Sequence, residues 1–166
     1  MTKLWLHGNT VNTRGSLPDL GTLMADFSIT KMDLSEVSFS SFKQKNKLIN
    51  IFTSIDTDTC AASVRTFNKE ASDLWNVAVL NLSMDLPFAL KRFCGVEGIR
   101  NVEVGSLFRS NFLKLYPIDF VDGPLRGLCS RVVIVVNEKN EITYIEQVVE
   151  VSNEPNYLEA LRALKS

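Results

Sequence analysis

Histidine, cysteine and any surplus of charge are all scarce in this sequence. Its 166 residues hold one histidine, His7, and three cysteines, Cys60, Cys94 and Cys129. An odd number of cysteines at wide spacing does not make a secreted disulfide framework. No pair has C-x-x-C spacing, which excludes a zinc knuckle and a thioredoxin-type redox motif, and no metal or cofactor is expected. A Cys–His dyad would need His7 to fold back onto a cysteine, whereas its place between Leu6 and Gly8 reads as a turn or an edge. Lysine and arginine number 18 against 19 aspartates and glutamates, a net charge of −1. There is no basic excess to hold a phosphate backbone, so nucleic acid is not an expected partner. No apolar run approaches the ~18–20 residues of a membrane span, and residues 1–8 lack the ~7–15-residue apolar stretch of a signal peptide. These absences point to a protein of the reducing cytoplasm with no membrane contact. The length suits one domain, 1–166, with a substantial core.

What is present is an alternation of strand-like and helix-like runs. Leu4-Trp5-Leu6 and Thr10-Val11-Asn12-Thr13 read as a hairpin turning near Gly8-Asn9. Phe27-Ser28-Ile29-Thr30 alternates at period two, and 33–44 reads as a connection. Leu48 to Phe52 and Val77 to Leu82 are the first strong strands. After Leu82, Ser83 or Asp85 can cap a helix over Leu86 to Cys94, with Pro87 early in it and Gly95 at its end. Residues 96–109 read as irregular around a short Val102-Glu103-Val104, and Pro117 breaks 111–120. Arg131-Val132-Val133-Ile134-Val135-Val136 has the near-continuous apolar character of a strand buried on both faces, and Ile142 to Ile145 returns as its hairpin partner. The last helix starts near Glu154-Pro155 and turns Tyr157, Leu158, Leu161 and Leu164 inward. The order predicts an α/β domain on a thioredoxin-like plan, a mixed central sheet flanked by helices with an N-terminal hairpin.

The stretch from Ile49 to Ala71 carries the chemistry. A strand ends, a loop rich in hydroxyls and acids follows, and Cys60, Val64, Phe67, Ala71 and Leu74 then recur at helical steps on one face. Thr57, Asp58 or Thr59 can serve as the N-cap. A cysteine at a helix start meets free N–H groups and the positive end of the dipole, which favour the nucleophilic thiolate. A free thiol titrates near pH ~8.5, and bringing one to ~6 takes roughly 3.4 kcal/mol. A surface helix end supplies only about 0.3–1 kcal/mol, so a reactive cysteine here needs a cation as well. Arg131, at the head of a buried strand, is a candidate, because arginine seldom stands there without a partner. Two alternatives stay open on the residues alone. Cys60 is a reactive thiolate or a buried structural thiol, and Arg131 serves Cys60 or pairs with an acid such as Glu146. Cys129, among Leu128 and the valines, reads as a buried bystander.

The segment Asn50 to Cys60 resembles the active-site segment of peroxiredoxins, where P-x-x-x-T-x-x-C is typical. Ser83-Met84-Asp85-Leu86-Pro87-Phe88-Ala89, then Arg92-Phe93-Cys94-Gly95, and Asp122 to Leu128 followed by Arg131 resemble the thiol peroxidase subfamily, atypical two-cysteine peroxiredoxins. The likeness spans almost the whole chain. It implies that Cys60 is the peroxidatic cysteine and that Thr57 hydrogen-bonds thiolate and peroxide. It also implies that Arg131 stabilises the thiolate and the developing charge, with Cys94 as the resolving cysteine of the same chain. A hydroperoxide substrate, a homodimer and recycling by thioredoxin follow from the same resemblance. One residue departs from it. Thr53 stands where the family has its motif proline, keeping similar bulk in the substrate pocket and adding a hydroxyl and a backbone donor. A redox sensor using the same disulfide and a non-catalytic thioredoxin-like binding module are the competing readings.

Overall fold

The computed structural model describes residues 1–165. A two-stranded sheet opens the chain, with β1 (Thr2–Leu6) antiparallel to β2 (Asn9–Thr13). Leu6 pairs with Asn9, so the turn is His7-Gly8, one residue earlier than the sequence indicates. Both turn residues have positive φ, 51° and 83°. That is the two-residue turn whose twist matches a hairpin, and it leaves Asn9 free to join β2.

The main sheet comprises β3 (Ser28–Lys31), β4 (Glu36–Ser38), β5 (Asn46–Ile51), β6 (Val77–Ser83), β7 (Glu103–Ser106), β8 (Val132–Val136) and β9 (Ile142–Gln147). Their spatial order is β4-β3-β7-β6-β5-β8-β9. β5, β6 and β7 run parallel, and the remaining pairs are antiparallel. The helices are α1 (Asp58–Ala71), α2 (Pro87–Glu97), α3 (Phe112–Leu115) and α4 (Tyr157–Lys165). The β5–α1–β6 unit is the expected parallel pair with a crossover helix.

Alternating side chains of the central strands enter two different cores. Leu48, Val79, Val133 and Val135 pack against Phe67 of α1 and Ala160 and Leu164 of α4. Ile49, Ile51, Leu80, Leu82, Val132 and Ile134 face the other way, towards Phe27, Phe39, Phe112 and Tyr116. With both faces covered, β8 is buried along its whole length, as its apolar run predicts.

Several boundaries differ from the sequence reading. α2 does not stop at Gly95 but continues to Glu97 and ends at Gly98, whose φ of 66° is left-handed. The N–H groups of Gly98 and Ile99 both donate to the Cys94 carbonyl, closing the last turn. Neither Ser83 nor Asp85 caps α2, whose N-cap is Leu86 without a side-chain bond. In α4, Leu158 is 65 % exposed, and the inward positions are Ala160 and Leu164, flanked by the partly buried Tyr157 and Leu161. The Asn156 side chain accepts from the Glu159 N–H at 3.1 Å and starts that helix. The 33–44 connection contains β4 and a short 3-10 turn, Phe39–Ser41.

Candidate active site

The end of β5 delivers the chain into a tightly tied loop. The Phe52 N–H donates to the Leu82 carbonyl, keeping the two parallel strands together to their tips. The Thr57 N–H and hydroxyl both donate to the Ser54 carbonyl, at 3.1 and 2.9 Å. Thr57 is the N-cap of α1, although its hydroxyl makes no cap bond because it is committed to Ser54. Asp85 anchors this loop from the next segment. Its carboxylate accepts from the Ser54 hydroxyl at 2.7 Å, the Ile55 N–H at 2.8 Å and the Ser83 hydroxyl at 2.6 Å.

Cys60 is the third residue of α1 and is fully buried. It lies in the first turn, where N–H groups lack partners further back in the helix. Arg131 Nη1 donates to Cys60 Sγ at 3.3 Å, and Nη2 donates to the Val151 carbonyl at 3.0 Å. Arg131 is itself only 2 % exposed, and its Nε has no partner among the described residues. Glu146 instead accepts from the Asn156 N–H at 2.8 Å. A guanidinium aimed at a sulfur, with no carboxylate among the described residues bonded to it, leaves its charge available to that sulfur. A hydrogen bond to an ionised partner contributes about 1.5–3 kcal/mol, several times what an exposed helix end supplies.

Beside this pair opens a cleft of about 370 Å³, lined by Thr53, Thr57, Asp58, Thr59, Arg131, Ser152, Leu6, His7, Leu125 and Val151. Arg131 therefore faces both the buried sulfur and the cleft, whereas Thr57 lines the cleft with its hydroxyl on the Ser54 carbonyl. Thr53 is 3 % exposed, and its hydroxyl donates to the Cys129 carbonyl at 3.0 Å. His7 sits at the hairpin turn on the cleft wall, with its backbone N–H donating to the Glu150 carboxylate at 3.2 Å.

Cys94 lies on α2 in the same apolar cluster as Cys60, with Phe52, Val64, Leu90 and Phe93. All three cysteines are free thiols, and both helices are intact through Cys60 and Cys94. Burial pushes the Cys94 thiol up to about 11 and the Cys129 thiol to about 12, with Asp119 and Asp85 adding to the latter. Both remain neutral thiols in this state. Two features escaped the sequence. One is the Asp85 anchor. The other is a buried polar chain beneath α1, in which Asn50 donates to Asn81 and Ser63, and Ser63 donates to the Cys60 carbonyl. Asparagines interrupting the apolar runs of β5 and β6 are the signal that could have shown it. No cluster of potential metal ligands exists among the described residues.

The redoxin family model matches residues 19–161. The thiol peroxidases of Mycobacterium bovis and Mycobacterium tuberculosis are each 44 % identical to this chain over 164 residues, covering 99 % of both partners. The chain belongs to the thiol peroxidase family. Its activity is that of a thiol-dependent peroxidase of the peroxiredoxin type. The crystal structure of a peroxiredoxin-like protein from Aquifex aeolicus superposes with a TM-score of 0.92 at 32 % identity, covering 98 % of this chain and 95 % of that one. A thiol peroxidase from Chromobacterium violaceum shares the fold, with a TM-score of 0.86 at 21 % identity over 98 % of this chain and 95 % of that one. The thioredoxin-like plan with its N-terminal hairpin is the fold of these relatives.

Proposed function

We propose that Cys60 is the peroxidatic nucleophile of this enzyme and Cys94 its resolving cysteine. The observation that carries the first assignment is the Arg131 Nη1 hydrogen bond to Cys60 Sγ. The thiolate attacks one oxygen of hydrogen peroxide or an organic hydroperoxide. The O–O bond breaks, the distal fragment takes a proton and leaves as water or alcohol, and Cys60 becomes a sulfenic acid. Arg131 and Thr57 line the cleft from which the substrate arrives. The buried, unpartnered Nε of Arg131 is a donor with capacity to spare for a peroxide oxygen. Fixed donors of this kind stabilise charge that develops along the breaking bond without reorganising. Thr53 forms part of the same wall.

In the second stage Cys94 attacks the sulfenic sulfur, water leaves, and a Cys60–Cys94 disulfide forms. A disulfide requires Cα atoms about 4.4–6.8 Å apart. Both cysteines are held in intact helices here, so the first turn of α1 and the last turns of α2 open to allow it. Terminal turns are the low-stability parts of a helix. Thioredoxin then reduces the disulfide by thiol–disulfide exchange. On family membership the enzyme is read as a homodimer of the cytoplasm; no described helix is long and apolar enough to cross a membrane.

Steady-state peroxide consumption with a thioredoxin system tests this scheme. Cys60→Ser abolishes it. Cys94→Ser reduces one equivalent of peroxide and then stalls. Full turnover by either variant overturns the corresponding assignment.

A further inference from the structure

Two ion pairs bracket the cysteines, one between α1 and α2 and one between α2 and the loop before α1. Arg65, five residues beyond Cys60, meets Glu97, three residues beyond Cys94, through a two-pronged contact. Nε reaches Oε2 at 3.0 Å and Nη2 reaches Oε1 at 2.9 Å. The Arg65 guanidinium also lies over the Phe93 ring, 5.5 Å from its centroid. On the other side of the pair, Asp56 meets Arg92. Just past α2 the chain is tied down again. Asn68 Oδ1 accepts from the N–H groups of Arg100 and Asn101, and Asn101 Nδ2 donates to the Asn68 carbonyl.

These bonds divide the segment after Cys94 into a fixed root and a releasable turn. The root is residues 100–101, held by three hydrogen bonds to Asn68. The turn is 94–98, closed by the two N–H groups on the Cys94 carbonyl and fastened to α1 by Glu97. Gly95 and Gly98 give this turn backbone freedom that other residues lack. Unwinding it to free Cys94 leaves the root in place and separates Glu97 from Arg65.

We infer that Arg65 and Glu97 are positioning residues for the resolving step, forming a clasp that holds Cys94 in α2 and sets how fast it reaches oxidised Cys60. The inference rests on the proposed role of Cys94. The clasp acts on a competition. The Cys60 sulfenic acid either condenses with the Cys94 thiol, forming an S–S bond and releasing water, or meets a second hydroperoxide. In the second case the sulfur attacks the peroxide, the O–O bond breaks, water or alcohol leaves, and a sulfinic acid results. Loosening the clasp favours the first outcome without touching the capture of the first peroxide.

Rapid-quench measurements on the reduced full-length protein with hydrogen peroxide test this. Mass spectrometry follows reduced Cys60, the Cys60–Cys94 disulfide and Cys60 sulfinic acid. Glu97→Gln keeps the shape and removes the charge. It is expected to leave the rate of Cys60 oxidation unchanged, to speed disulfide formation about two- to five-fold, the range of a well-formed exposed ion pair, and to lower the sulfinic fraction in proportion. Arg65→Gln, and wild type in about 1 M salt where such pairs are screened, are expected to follow it. The double variant is expected to match the singles, since one contact is removed in all. Equal or slower disulfide formation in Glu97→Gln overturns the clasp while leaving the resolving role of Cys94 standing. Failure of wild type to form a Cys60–Cys94 disulfide overturns the resolving role itself.

Discussion

The Thr53 hydroxyl donates to the carbonyl of Cys129, joining the start of the loop before Cys60 to the segment that leads through Arg131 into β8. Both residues are buried. This bond ties together, from opposite ends, the segments that carry Cys60 and its guanidinium. Threonine fixes this position through a side-chain bond. Thr53→Val keeps the shape and removes the donor, leaving a buried carbonyl without it. The expected loss is about 1–3 kcal/mol of stability, measured by chemical denaturation of the reduced protein. An unchanged midpoint would show the bond to be idle.

Arg131 is expected to control the nucleophilicity of Cys60 directly. Arg131→Ala removes a charge-assisted bond of about 1.5–3 kcal/mol, so alkylation of Cys60 at pH 6 should slow by about ten- to a hundred-fold. Arg131→Lys keeps the charge but not the fork that reaches Sγ and the Val151 carbonyl together, and should recover only part of the rate. Competitive labelling with iodoacetamide reads both. Alkylation of the alanine variant at the wild-type rate would remove Arg131 from the mechanism.

Asp85 supplies acceptors to three donors on two segments. Asp85→Ala leaves the Ser54 hydroxyl, the Ile55 N–H and the buried Ser83 hydroxyl to find new partners. Hydrogen bonds to charged groups contribute about 1.5–3 kcal/mol each and do not simply add, so a loss of about 3 kcal/mol or more is expected. Because Thr57 is fixed through the Ser54 carbonyl, peroxide kcat/KM should fall in parallel. Thermal unfolding and a stopped-flow peroxide assay on the same preparation check the two effects.

How far the sequence reveals this arrangement depends on the range of each interaction. The β5–α1–β6 unit is legible because an apolar run and a 3.6-residue period are both local. The strand β8 is legible because burial on two faces leaves no polar alternation. β4 is not, since Glu36-Val37-Ser38 contributes one partly buried valine and owes its pairing to β3. β7 is blurred by Gly105, which reads as loop. A Cβ there would lie 2.3 Å from Ile29, so the glycine belongs to the close approach of β3. Gly95 misleads for the opposite reason, because an exposed helical glycine looks like a terminus. At the site, a helix start at Cys60 follows from periodicity. The residues alone offer Arg131, 71 residues away, as a partner for Cys60 or for an acid such as Glu146, and only the resemblance chooses between them. The Asp85 anchor and the Arg65–Glu97 clasp join distant segments through polar groups and leave no local pattern.

The neutral state of Cys94 gives a pH dependence whose sign can be worked out. Burial raises its thiol from the ordinary 9.0 to about 11 in the folded protein. Below pH 9 the thiol is protonated in folded and unfolded chains alike, and its contribution to stability is fully present. Between pH 9 and about 11 the unfolded chain releases this proton while the folded chain keeps it. The unfolded state is then favoured, and stability falls as pH rises through that window. Cys129 acts in the same direction and extends the fall towards pH 12. Denaturation of the reduced protein at pH 8, 9, 10 and 11 is expected to show a declining midpoint. Cys94→Ala should flatten the part of the decline between pH 9 and 11, leaving the share due to Cys129 and the tyrosines. A variant as alkali-sensitive as wild type would mean that the α2 turn already exposes Cys94 to solvent in the reduced enzyme.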